Sequence, residues 1–134
     1  MSSAVLLFTR DLRVYDNPAL HAATVAADRV VPLFVLDPAV PTSPNRQRFL
    51  LESLADLRRS LRERGGDLVV RRGDPVAETV AMARSVGAST VVLSADVSRY
   101  AVRRQRRLAD AAAAHRWDLR LCEGVTVVPP GALR

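Results

Sequence analysis

Charged side chains follow the apolar segments of the sequence that are candidates for β-strands. Arg10 follows the first apolar segment, Asp37 follows the second, and Asp96 follows a later one. Arg46 opens the helical segment after Asp37. If these side chains meet at one end of a sheet, their donors and acceptors could orient a polar heteroaromatic ligand in an apolar crevice. The alternative is that they form loop salt bridges and helix caps.

Few residues are suited to catalysis or metal binding. His21 and His115 fall in separate predicted helices and are expected to be ordinary helix residues, since an acid or base must meet a partner in a cleft. Cys122 is the only cysteine, and we expect it to be a small buried apolar residue. No metal-ligand set, paired carboxylates or glycine-rich phosphate loop is found, so a metal site and a conventional NAD or ATP site are disfavoured.

Length and charge limit the class of protein. The chain has 134 residues, of which 49% are hydrophobic and 25% charged, as expected for one compact domain. The net charge of +6 comes with arginine at every basic position, which is typical of GC-rich coding as well as of nucleic-acid binding. The densest basic run, Arg103, Arg104, Arg106 and Arg107, is predicted to be a solvated surface, and the aromatic content of 4% disfavours a single-strand binder. With no apolar run of membrane-spanning length and no export signal, we expect a cytoplasmic protein.

The secondary structure alternates between strands and helices. Short apolar runs predict five strands, which we expect to be buried on both faces: Ala4–Thr9, Val30–Leu36, Leu68–Arg72, Thr90–Ser94 and Asp118–Cys122. Helices are predicted to begin after Asn17 and after Asp74, each an N-cap residue followed by proline. Two longer helices are predicted over Asn45–Arg64, with a leucine stripe, and from about Ser98 to His115.

This order predicts an α/β fold of the Rossmann-like, doubly wound kind. Right-handed crossovers would give a five-stranded parallel sheet in the order 3-2-1-4-5 with helices on both faces. Ligands of such sheets bind at the carboxyl ends of the strands where the order reverses, here between strands 1 and 4. The loops expected to form the site are therefore Arg10–Asp16, Asp37–Asn45 and Ala95–Arg99.

Several segments resemble the photolyase and cryptochrome family, in the order in which that family has them. These are FTRDLRVYDNPAL at 8–20, VVPLFVLDP at 30–38, RQRFLLESLADL at 46–57, VVRRGDP at 69–75, SADVSRYAVRR at 94–104 and GVTVVPPGAL at 124–133. The resemblance covers nearly the whole chain and is most similar to microbial cyclobutane pyrimidine dimer photolyases. It implies the N-terminal α/β domain, which holds a light-harvesting antenna chromophore, over residues 1–124, and the start of an interdomain linker over 125–134.

The resemblance also implies partners and a limit on activity. In the family, a helical C-terminal domain carries FAD and the pocket for damaged DNA. That domain is not expected within this chain, so the chain alone is expected to be inactive in repair, with no catalytic residues, metal or membrane contact of its own. An antenna site needs a rigid, water-poor pocket rather than a nucleophile or a general base.

The antenna residues carried over by motif lie at the strand ends predicted above. They are Phe34, Val35, Leu36, Asp37, Arg46 and Asp96, with Arg10 and Leu12 bordering the same crevice. Ser94 and Ser98 stand where relatives often have Asn and Glu, and folate antennae use residues of that type. The resemblance therefore implies 8-hydroxy-5-deazaflavin as the antenna, with FMN and methenyltetrahydrofolate as alternatives.

Two other functions remain open from the sequence. One is a nucleotide-binding module of the universal-stress or electron-transfer-flavoprotein kind, which shares the sheet order but typically carries a late glycine-rich phosphate loop. The other is a cryptochrome-type photosensor without repair activity. This portion of the molecule does not distinguish a photosensor from a repair enzyme.

Overall fold

The computed structural model describes residues 2–10 and 12–122. The elements in chain order are β1 (Ser3–Phe8), α1 (Pro18–Ala26), β2 (Arg29–Leu36), α2 (Pro44–Glu63), β3 (Val69–Arg72), α3 (Pro75–Val86), β4 (Thr90–Ser94), α4 (Arg99–His115) and β5 (Asp118–Cys122). The predicted linker at 125–134, the motif at 124–133 and Asp11 lie outside the described residues.

All five strands are parallel and follow the order β3-β2-β1-β4-β5, which confirms the predicted doubly wound α/β fold. In the central pair, Phe8 is in register with Phe34. The first and second strands therefore end side by side, and the segments that follow them leave the sheet from neighbouring points.

Helices cover both faces of the sheet because successive residues of a strand point to opposite sides. Leu6 and Phe8 of β1 belong to a core cluster with Leu57 of α2, on the face that α1 and α2 cover. Val5 and Leu7 point the other way, into a cluster with Leu108 and other residues of α3 and α4. Each cluster is continuous across several strands, so the sheet is rigid beneath its carboxyl edge.

The helices begin where side chains satisfy their free N–H groups. Asn17 accepts a hydrogen bond from the N–H of Leu20, and Asp74 accepts one from that of Ala77, as the Asn-Pro and Asp-Pro pairs predicted. Ser43 accepts one from the N–H of Arg46, so α2 begins at Pro44, one residue before the predicted start. The Ser-Pro pair repeats the cap-then-proline arrangement of the other two helices.

The prediction that every strand is buried on both faces was wrong for β3 and β5. The central strands β1 and β4 are buried almost throughout, whereas β3 is mostly exposed and β5 is partly exposed. These two strands lie at the edges of the described sheet, where fewer helix residues reach them. No helix among the described residues is long and apolar enough to cross a membrane.

Candidate functional site

A cavity of about 480 Å³ opens at the carboxyl ends of β1 and β2. Its volume lies within the range of roughly 300–1,000 Å³ that is typical of small-ligand pockets. The apolar residues lining it are Leu7, Phe8, Phe34, Val35, Leu36, Pro38, Val40, Pro41, Leu50 and Pro75. The polar residues lining it are Thr9, Asp37, Thr42, Arg46, Gln47, Arg72, Tyr100 and Arg104. An apolar floor with a few polar groups around it can hold a flat, partly polar ring system.

Asp37 stabilises one side of the cavity. Its Oδ1 accepts a hydrogen bond of 2.9 Å from the N–H of Ala39, which turns the chain away from β2. Its Oδ2 accepts one of 2.7 Å from the hydroxyl of Tyr100, in the first turn of α4. Burial and this contact with Asp37 raise the pKa of Tyr100 above its usual value. Both oxygens of Asp37 are therefore engaged by the protein itself.

Arg104 lies one turn along α4 from Tyr100, on the same side of the helix. Its guanidinium carbon lies 5.2 Å from the centre of the Tyr100 ring, a cation–π arrangement. The side chain is half-buried, and loss of hydration lowers the pKa of its guanidinium. Among the described residues, none offers a hydrogen-bond acceptor to its buried Nε. The wall of the cavity thus carries a half-buried cation whose Nε has no hydrogen-bond partner among the described residues.

Arg46 and Arg72 stand at more open positions around the same cavity. Arg46 lies in the first turn of α2, which begins close to the rim, and Arg72 is the last residue of β3. Both residues are exposed. Any ligand in the cavity would meet one half-buried arginine and two hydrated ones.

The structure brings five of the eight predicted site residues to this cavity. These are Phe34, Val35, Leu36, Asp37 and Arg46. Leu12 instead packs against the core cluster under α1 and α2. Arg10 and Asp96 are not among the residues that line the cavity either, because they bind each other.

Arg10 and Asp96 form the type of loop salt bridge that was the alternative to a binding role. Nη1 of Arg10 lies 3.1 Å from both carboxylate oxygens of Asp96. Burial by itself would raise the pKa of Asp96, but the hydrogen bonds from Arg10 and from the N–H groups of Val97 and Ser98 outweigh it and lower that pKa. This pair joins the loops that follow β1 and β4.

The cavity therefore lies to one side of the predicted crevice between β1 and β4. Residues of the loop 37–45 line it as expected, whereas none of 95–99 and none of the described residues of 10–16 does. The Arg10–Asp96 salt bridge crosses the point where the strand order reverses. The open space is displaced toward β2 and β3.

Tyr100 and Arg104 were missed as site residues by the sequence predictions. The basic run containing Arg104 was expected to be solvated, but its members differ: Arg104 faces the cavity and Arg107 pairs with Asp74 at 2.8 Å. The spacing of four between an aromatic residue and an arginine at the start of a helix was the available signal, because it places both on one helix face.

The histidines and the cysteine that the sequence offered as candidates lie apart from one another in the described part of the chain. His21 and His115 are exposed and lie in separate helices, as predicted. Cys122 is half-buried, and burial raises the pKa of its thiol, which disfavours the reactive thiolate. Residues 2–10 and 12–122 contain no group of three or more metal-ligating side chains.

Comparison with known proteins identifies the family to which the chain belongs. The family model described as DNA photolyase matches residues 4–134. The chain belongs to the DNA photolyase family. This membership favours the photolyase and cryptochrome hypotheses over a universal-stress or electron-transfer-flavoprotein module.

Relatives within the photolyase family include both photolyases and cryptochromes. The chain is 48% identical to the deoxyribodipyrimidine photo-lyase of Streptomyces griseus over 136 residues, covering 98% of this chain and 30% of that protein. It is 40% identical to a cryptochrome DASH of Natronomonas pharaonis over 123 residues, covering 85% of this chain and 25% of that protein. The chain thus spans about a third or less of the length of these relatives.

Solved photolyase structures share the fold. A bacterial class III photolyase from Agrobacterium tumefaciens superimposes with a TM-score of 0.89 at 27% identity, covering 99% of this chain and 28% of that one. An archaeal photolyase from Sulfolobus tokodaii, crystallised with two FAD molecules, gives a TM-score of 0.81 at 25% identity, covering 95% of this chain and 30% of that one. In photolyases this α/β fold is the N-terminal domain.

Proposed function

We propose that the cavity holds the antenna chromophore of a light-dependent DNA repair photolyase, and that the domain passes excitation energy to FAD in a C-terminal domain, which splits pyrimidine dimers. The single observation that carries the proposal is that the cavity lies at the ends of β1 and β2 and is lined by five of the residues carried over from the family's antenna motif. Damaged DNA would bind to the C-terminal domain. We expect the protein to act in the cytoplasm.

The shape and composition of the cavity support a planar ring as the ligand. Phe34, Val35 and Leu36 supply an apolar surface on β2, a strand supported on both faces by the core. Energy transfer depends on the orientation of the antenna ring, so a rigid floor is a functional requirement. Thr42, Arg46 and Gln47 supply polar groups at the other side for hydrogen bonds to ring heteroatoms or a polar tail.

For the identity of the ring we propose 8-hydroxy-5-deazaflavin. Members of the family bind flavin and folate or deazaflavin chromophores. The hydroxyl of Ser98 is already occupied as the N-cap of α4, accepting from the N–H of Ala101 at 3.1 Å, so it is poorly placed to replace a folate-binding Glu. FMN and methenyltetrahydrofolate are the alternatives, and the Sulfolobus tokodaii structure with two FAD molecules adds FAD to the compounds worth testing.

Fluorescence titration of the purified chain with each of these compounds tests the antenna proposal. We expect 8-hydroxy-5-deazaflavin to bind with the highest affinity, and its emission to become strongly polarised because the ring is immobilised. Absence of binding by all of the compounds would contradict the proposed site. Preferential binding of FMN, FAD or the folate would retain the site and change its occupant.

A cryptochrome-type photosensor is the second candidate function. The 40% identity to cryptochrome DASH and the 36% identity to the blue-light photoreceptor PHR2 of Arabidopsis thaliana support it. The two candidates differ in what the rest of the molecule does. In either case we expect the 134-residue chain alone to show no light-dependent repair of thymine dimers, and measurable repair by the pure chain would contradict this.

A further inference from the structure

The cavity contains an excess of positive charge close to its apolar floor. Among the described residues lining it, the arginines are Arg46, Arg72 and Arg104, and the only acid is Asp37. Both oxygens of that acid accept hydrogen bonds, from the Tyr100 hydroxyl and from the N–H of Ala39. Asp37 therefore stabilises the loop after β2 and does not neutralise the arginines. Their charges face the cavity.

Arg104 differs from the other two arginines because it is half-buried. Its guanidinium packs over the Tyr100 ring, and none of the described residues accepts a hydrogen bond from its Nε. A buried donor without a partner is unfavourable, and more so when the group is charged. The side chain as a whole lines the cavity, so an anionic ligand there can accept hydrogen bonds from its terminal Nη groups and balance its charge.

The nearby acids do not remove this excess. Asp37 and Asp96 act on Arg104 at longer range and favour its charged form. Asp96, however, is hydrogen-bonded to Arg10 and to the N–H of Val97. The described acids around Arg104 are thus already committed to other donors.

We infer that Arg104 is a specificity-determining residue, and that the cavity selects a ligand carrying a negatively charged group which accepts hydrogen bonds from the guanidinium of Arg104. The charge could reside on an ionised ring hydroxyl or on a phosphate, since both are anionic oxygen acceptors that a guanidinium binds well. This inference rests on the proposed antenna site. It adds the charge that the bound chromophore must carry and the residue that recognises that charge.

Three variants separate the charge of Arg104 from its shape. Arg104→Met keeps much of the apolar length but removes the charge, and replacing a partly buried charge with an apolar side chain is often neutral or stabilising, so we expect the variant to fold. Arg104→Lys keeps the charge and loses the planar set of guanidinium donors. Arg103→Met is the matched control, because Arg103 is an exposed neighbour on α4 that does not line the cavity.

Paired ligands then identify the source of the charge. FMN is compared with riboflavin, which lacks the phosphate, and 8-hydroxy-5-deazariboflavin is compared with 5-deazariboflavin at a pH at which the ring hydroxyl is ionised. For at least one pair we expect the wild-type chain to prefer the anionic member by about tenfold or more, equivalent to about 1.4 kcal/mol. That preference should disappear in Arg104→Met, return in part in Arg104→Lys, and stay unchanged in Arg103→Met.

Equal affinity for both members of each pair, or a preference that survives in Arg104→Met, would overturn the inference while leaving the antenna site in place. If no ring compound binds the wild-type chain, the antenna proposal fails by itself. Thermal unfolding in inorganic phosphate then decides the inference: a greater rise in Tm for wild type and Arg103→Met than for Arg104→Met supports it, and equal rises overturn it.

Discussion

The hydroxyl of Tyr100 donates a 2.7 Å hydrogen bond to Oδ2 of Asp37, and this bond ties the first turn of α4 to the loop after β2. The two residues are distant in sequence and belong to helix and loop segments on different sides of the central strand. Their contact fixes one wall of the cavity. It also holds the Tyr100 ring beneath the guanidinium of Arg104.

Tyr100→Phe tests this contact. The variant keeps the ring under Arg104 and removes only the hydroxyl, so we expect a loss of about 0.5–1.5 kcal/mol in the free energy of unfolding, measured with urea. Tyr15→Phe is the control, because the Tyr15 ring also lies under an arginine, Arg64, and is 71% exposed. An equal loss in both variants would show that the Asp37 contact does not contribute.

The binding roles of Arg46 and Asp96 can be separated by titration with 8-hydroxy-5-deazaflavin. Arg46→Ala should weaken binding by roughly three- to tenfold, in the lower range for a charged hydrogen bond because the side chain is exposed, and the exposed Arg48→Ala is the control. Asp96→Ala should also weaken binding, but indirectly, with a loss of stability as the Arg10 salt bridge is broken. Unchanged affinity in both Arg46→Ala and Asp96→Ala would remove the proposed site.

Asp74 should make the stability of the protein depend on pH. Its hydrogen bonds from Arg107, both 2.8 Å, hold the pKa of its carboxyl below the usual value. A lowered pKa in the folded state contributes stability above the unfolded-state pKa of about 3.9, and that stability is lost as the pH falls through the folded-state pKa. Asp74→Asn keeps a good N-cap for α3 and removes this pH-dependent contribution to the stability.

We therefore expect Asp74→Asn to cost about 0.5–1 kcal/mol at pH 7, a modest value because both partners are substantially exposed. The difference from wild type should narrow as the pH falls below about 4. Urea unfolding at several pH values measures it, with Asp56→Asn as a surface-pair control. A difference that stays constant down to strongly acidic pH would contradict the assignment to the Arg107 pair.

Leu57→Ala tests the packing of α2 on the sheet. Leu57 is 1% exposed within the cluster that supports β1 and β2, so its truncation should cost about 2–5 kcal/mol. Leu51→Ala, on the same helix at a residue that is 51% exposed, should change stability by less than about 0.5 kcal/mol. Similar losses in both variants would contradict the assignment of the buried face.

The fold could be predicted because its signals are local. Each apolar run marks a strand, and the pairs Asn17-Pro18 and Asp74-Pro75 mark helix starts through capping chemistry that needs no tertiary information. The exposure of β3 and β5 could not be predicted from the sequence in the same way. It depends on which strands come to lie at the sheet edges, and apolar residues such as Val70 occur at those edges as well.

The site was predicted only in part for a related reason. Residues adjacent to strand ends, such as Asp37, are positioned by the sheet order, which the sequence predicts. Arg104 is positioned by the rotation of α4 about its own axis, and the nearby Arg103, Arg106 and Arg107 do not line the cavity. In a segment with several arginines, the sequence does not show which of them turns inward until the packing of the helix is known.

The exposed character of β3 and β5 has a consequence for how copies of the protein meet in solution. An unpaired strand edge can recruit a strand from another molecule. Here Arg71 and Arg72 stand on β3, and Asp118 and Arg120 on β5, all of them exposed. Hydrated charges at such positions oppose edge-to-edge pairing. The charged residues on these two strands, the most exposed of the five, therefore oppose aggregation through the sheet edges.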